Sequence, residues 1–224
     1  MEVDSFNVMK EIAGQTFSIA RDNEPVRGCT VSKMVWDGST PILYFACAAN
    51  TDISAESFPY HKLIFVNMGT LKVYGKEFTQ MVSEEQCIIT PTDVPVGMKA
   101  EAGCVYTEVE VGKDIKMNEA IAAGEAFKLA DKLPYQEGKI VNMDVVHNDK
   151  MKFALMAFDE GQGLSEHSAP GEALVFALDG EGVIGYEGKE HSIKAGENFH
   201  FAKNGMHWVK AKTKFKMALL LALD

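Results

Sequence analysis

Long apolar runs are missing from this chain: nothing approaches the roughly 18 residues that a bilayer-spanning helix needs, and stretches such as residues 217–223 fall far short of it. Helical membrane insertion is therefore excluded. Basic charge is also in short supply, with 22 Lys and Arg against 32 Asp and Glu, a net charge of −10 and no Lys/Arg cluster. Such a surface repels a phosphate backbone, so nucleic acid is not an expected partner. Cysteine is sparse: the four at positions 29, 47, 87 and 104 form no Cys-x-x-Cys pair and read as reduced thiols. A Gly-rich phosphate loop, a Gly-x-Ser-x-Gly elbow and a Cys/His nucleophile pair are all absent. The acidic start, Met1-Glu2-Val3-Asp4, has no signal-peptide core, which makes the cytoplasm the expected location.

What is present is an ordinary globular composition over 224 residues, 46% hydrophobic and 24% charged, enough for one large β domain or two small ones. Sliding the chain against itself by 111 residues aligns two segments without a gap. Ser54, Ser57, Pro59, Leu63, Phe65, Gly69 and Lys99 then meet Ser165, Ser168, Pro170, Leu174, Phe176, Gly180 and Lys210. Two copies of one domain are the simplest explanation. Within each copy, short alternating runs are punctuated by turn chemistry such as Asp179-Gly180, Glu187-Gly188 and Asn204-Gly205, which predicts closely spaced antiparallel strands in a sandwich or barrel.

Between the copies, residues 118–132 read as a helix, with Asn118 as its N-cap and Pro134 beyond its end. A second short helix is expected over residues 4–13, ended by Gly14. The expected organisation is an N-terminal barrel over 1–113, a helical linker over 114–137 and a C-terminal barrel over 138–224.

The segment Gly163-Leu164-Ser165-Glu166-His167-Ser168-Ala169-Pro170-Gly171-Glu172, running on to Gly180, resembles the first motif of the cupin superfamily. Residues 196–207, from Gly196-Glu197 through Lys203-Asn204-Gly205 to His207, are similar to the second motif. The resemblance implies an all-β bicupin, two double-stranded β-helix barrels of jelly-roll type in tandem, joined by the short helical linker. It also implies a divalent transition metal (Zn, Fe, Ni or Mn) in the C-terminal barrel, with His167, Glu172 and His207 as matching ligands. Ala169 stands where a second motif histidine is usual, and Ala202 where a proline is usual.

Chemistry points the same way, because two imidazoles and a carboxylate suit these ions and leave coordination positions open for a small molecule. His167 and Glu172 lie five residues apart, so a bend at Pro170-Gly171 is required to bring Glu172 to the inner face. Leu174, Phe176 and Leu178 are then expected to continue the inner row. Ala173, Val175 and Ala177 are expected to face outward, where small apolar residues suit barrel pairing, including a homodimer.

The 111-residue offset gives Glu56, His61 and Val96 as counterparts in the first copy, a set in which an apolar side chain replaces one ligand. That barrel is expected to be structural, with Glu56 and His61 free to pair with each other. His200, between Phe199 and Phe201, is a candidate to buttress a ligand. Two functional readings stand at this point: a metal-dependent enzyme acting on a small polar molecule, and a non-catalytic ligand-binding or structural bicupin with a vestigial site.

Overall fold

The computed structural model describes residues 9–223, and among these the chain is almost entirely antiparallel β structure. These divide into two compact units: one runs from Ile19 to Lys128, and the other combines residues 9–18 with residues 129–223. The segment before Ile19, expected in the first barrel, therefore belongs with the second.

Each unit is two sheets facing across a core. In the Ile19–Lys128 unit the larger sheet runs Ala126–Lys128, Gln86–Ile89, His61–Met68, Cys104–Gly112, Ile42–Cys47, Thr30–Trp36, and the smaller runs Thr51–Ser57, Pro95–Ala100, Thr70–Gly75, Thr79–Ser83. In the other unit the larger sheet contains, in order, Thr16–Phe17, Asn198–Phe201, Glu172–Asp179, Phe215–Ala222, Met151–Phe158 and Ile140–His147. Its smaller sheet runs Gly163–Ser168, Met206–Ala211, Glu181–Tyr186, Lys189–Lys194. The internal repeat is thus realised strand for strand: His61–Met68 and Glu172–Asp179 start and end 111 residues apart, as do Thr70–Gly75 and Glu181–Tyr186.

Gly69 and Gly180 show why the repeat keeps its turn residues. Both have φ in the left-handed region, 79° and 71°. A Cβ on Gly69 would strike the carbonyl oxygen of Gly103, and one on Gly180 that of Lys214, again 111 residues on.

The linker is not a helix. Asn118 does cap a turn, its Oδ1 accepting the Ala120 N–H at 3.0 Å, but Gly124 turns left-handed (φ 82°) and donates to the Ile89 carbonyl. Residues Ala126–Lys128 then pair with Gln86–Ile89, leaving only a single 3-10 turn at Leu129–Lys132. Joining a sheet edge satisfies more backbone groups than a glycine-interrupted helix would. Of the helix expected over 4–13, residues 4–8 lie outside the described residues and 9–13 are not helical.

The facing of the strand Glu172–Asp179 is also opposite to expectation. Ala173, Val175 and Ala177 line the core between the two sheets, with Ile184, Phe199, Phe201, Val209 and Phe215. Leu174 and Phe176 are buried on the other face of the same sheet, where Phe176 meets Phe153 edge-on at 6.3 Å. A strand that is apolar on both faces carries no alternation from which its inner side can be read. The outward patch of small residues expected to serve barrel pairing does not exist.

Candidate functional site

The imidazoles of the second barrel are placed by a β-bulge. Register shifts between Leu164 and His167, and the same irregularity occurs between Ile53 and Glu56 in the first barrel. The bulge re-aims the side chain that follows it, and His167 comes to lie directly across from His207. The ring centroids are 4.4 Å apart. Each ring is held by a hydrogen bond from Nδ1–H to a nearby carbonyl, His167 to Ser165 at 2.8 Å and His207 to Gly205 at 2.9 Å. Because a carbonyl only accepts, Nδ1 carries the hydrogen in each neutral ring, and Nε2 is the nitrogen that then offers a lone pair.

His207 is buried and stacks on Phe201, with centroids 4.0 Å apart and an interplanar angle of 18°. Burial pushes its pKa down; the Gly205 carbonyl opposes this, and the neighbouring His167 adds to it. His167 is exposed at the barrel mouth.

Glu172 goes elsewhere. It shares the face of Leu174 rather than that of Ala173, and its Oε2 lies 2.5 Å from His200 Nε2 while Oε1 accepts the Lys203 N–H at 3.2 Å. His200 in turn donates from Nδ1 to the Glu11 carbonyl at 2.8 Å. The ring thus has an acceptor at each nitrogen, a backbone carbonyl at Nδ1 and a carboxylate at Nε2. Burial raises the Glu172 pKa, but the hydrogen bonds from His200 and Lys203 and the charges of both outweigh it, and the carboxyl sits below its usual range. The three residues singled out from sequence are therefore split into two pairs, His167 with His207 and Glu172 with His200. The bend at Pro170-Gly171 does not return Glu172 to the core side.

In the first barrel His61, the counterpart of Glu172, places Nδ1 2.6 Å from the Thr90 carbonyl and does not bond Glu56. Glu56 and Val96 stand opposite each other as His167 and His207 do, and both line a cavity of about 210 Å3. Its wall also holds Lys62 and Glu108, two residues that sequence reasoning passed over. Lys62 lies on the inner side of its strand, in step with Ile64 and Val66, and its repeat partner is Ala173. A charged residue on an inward position of an apolar strand was the available signal, but it is readable only once the facing is known.

A cupin-domain family model matches residues 154–223, the part of the chain that carries the His167/His207 mouth. The solved structure of a Cupin 2 conserved barrel domain protein from Leptotrichia buccalis is 27% identical, with a TM-score of 0.86 over 96% of this chain and 99% of that one. Residues 154–223 thus match the cupin domain, and the chain as a whole has the fold of a two-barrel cupin. Two-barrel architecture recurs in more distant cupin-like structures. Protein Ylba from E. coli is 11% identical with a TM-score of 0.62, over 98% of this chain and 94% of that one. A salicylate 1,2-dioxygenase mutant from Pseudoaminobacter salicylatoxidans is 11% identical with a TM-score of 0.63, over 82% of this chain and 70% of that one. At that identity the likeness is one of fold. No curated protein matches this chain's sequence.

The metal expected for this chain can be tested against its donors. The imidazole pair fits in donor type: two neutral rings, each oriented by a carbonyl at Nδ1, offer Nε2 donors that Zn, Fe or Ni accepts. The carboxylate does not fit, being committed to His200. Among the described residues no group of three or more His, Cys, Asp and Glu is arranged to hold a metal ion. Nor does any helix among them reach the length and apolarity of a membrane span.

Proposed function

We propose that this chain is a small-molecule-binding protein whose second barrel takes a divalent transition metal on His167 and His207. The observation that carries the reading is the cross-strand imidazole pair with both Nδ1–H groups donated to backbone carbonyls. The ion would supply Lewis acidity and open coordination positions. The chain's own contribution is to orient both rings by their Nδ1–H bonds to backbone carbonyls, to favour the neutral form of His207 by burial, and to wall the inner side with Phe201. Glu172 is no ligand in this reading. It fixes His200, and through His200 the segment around Glu11, against the outer face of the large sheet.

With only two protein donors the ion exchanges readily, so metal is taken up on titration but stripped by a mild chelator. Isothermal titration with Ni and Zn, on protein purified without an affinity tag, tests this. One ion per chain, lost in both His167→Ala and His207→Ala and retained in Glu172→Gln, supports the proposal. Uptake that survives His207→Ala, or no uptake by the parent chain, overturns it. Loss of uptake in Glu172→Gln alone would restore the three-ligand set implied by the family motif.

A further inference from the structure

The two barrels differ most at the place where they should be most alike. In the second, the Phe201 ring stacks on His207 on the inner side of the imidazole pair. At the corresponding positions of the first, Thr90 and Val96 leave space, and the cavity of about 210 Å3 opens there. At roughly 30 Å3 per water this equals about seven waters, room for a compact organic molecule rather than a drug-sized one.

Its floor is rigid and aromatic. Phe45 stacks on buried Tyr106 with centroids 4.8 Å apart and rings 2° from parallel, and the Tyr106 hydroxyl donates to Met98 Sδ at 3.3 Å. Three titratable side chains face the space. Lys62 Nζ lies 2.8 Å from Glu108 Oε1, with only 14% and 5% of their side chains exposed, and the same ammonium sits 4.0 Å from the centre of the Phe58 ring. These two charges cancel. Glu56, at the rim, is the third, and it has no ion-pair partner among the described residues. The cavity therefore combines an apolar, aromatic interior with one uncompensated carboxylate at its opening.

We propose that the first barrel of this chain is a binding site for a small organic cation, an ammonium or amidinium on a compact apolar body. The body occupies the space between Phe45, Val96 and Met98, and the cationic head pairs with Glu56. An anionic ligand is disfavoured because its head would meet two carboxylates and find the single ammonium already paired with Glu108. This site is separate from the imidazole pair and does not depend on a metal in the second barrel.

Benzylamine, benzyl alcohol and benzoate are probes of one shape, about eight or nine non-hydrogen atoms, and three charges. Their binding to the full-length chain can be read by ligand-observed NMR at pH 7.5, with and without chelator. Expected are saturable binding of benzylamine unaffected by chelator, at least tenfold weaker binding of benzoate, a loss of fivefold or more in Glu56→Gln, and abolition in Val96→Phe. Glu56 is exposed, so its variant keeps the test valid should Val96→Phe fail to fold. Benzoate binding as tightly as benzylamine, benzyl alcohol matching benzylamine, or no saturable binding of any probe would each overturn the proposal.

Discussion

Lys62 and Glu108 occupy positions held in the second barrel by Ala173 and Leu219, so the copies differ there by a buried ion pair. Removing one partner strands the other charge in a poor solvent. Lys62→Ala is expected to cost about 3–5 kcal/mol in urea unfolding, whereas Lys62→Ala with Glu108→Leu, which copies the second barrel, should recover most of that loss. Burial already pushes the Glu108 pKa up, and the Lys62 charge pulls it back. The residue scale also sets the response to acid. The folded His207 has a pKa below its unfolded value of about 6.5, so the unfolded chain binds the extra proton. Its stabilisation is complete above that value and lost as pH falls through the folded pKa. Glu172 is likewise depressed, and its contribution, complete above about pH 4.3, is lost at still lower pH. Urea midpoints from pH 7.5 to 3.5 should therefore fall in two steps, the first removed by His207→Gln and the second by Glu172→Gln. The motif histidines were legible because a cupin motif is a local pattern. The partner of Glu172 was not, because the pairing depends on which face a uniformly apolar strand turns inward.

At the scale of elements, the segment before Ile19 is what sequence patterning missed. Thr16 and Phe17 add to the edge of Asn198–Phe201, Gly14 N–H donates to the His200 carbonyl at 3.0 Å, and Thr16 Oγ1 donates to the Ser192 carbonyl at 3.1 Å. Two residues of strand carry too little periodicity to be recognised. Pairing also protects an edge that would otherwise present open backbone groups. Gly14 fixes the path: its φ is 75°, and a Cβ would meet the Tyr186 ring at 2.7 Å. Gly14→Ala should destabilise the second unit by about 1–2 kcal/mol or more, and hydrogen exchange should speed up selectively at residues 198–201. The strands themselves were readable from their turns. The path of the linker was not, since the N-cap signal at Asn118 is real and only the left-handed Gly124 reveals that one turn is all it caps.

For the whole molecule, the repeat found by self-comparison gives the architecture, and the departures from it mark where the two copies have specialised. One copy holds an imidazole pair backed by a stacked phenylalanine; the other holds an ion pair beside a cavity. The strand added by the early segment has a further consequence, for the order of events during synthesis. The Glu11 carbonyl meets His200 across a separation of 189 residues. At about 5–20 residues per second, a ribosome takes roughly ten to forty seconds to cover that distance. The Ile19–Lys128 unit is contiguous and can close while the rest is still being made. Residues 9–18 must wait until Asn198–Phe201 has emerged, so the second barrel closes long after the first is able to.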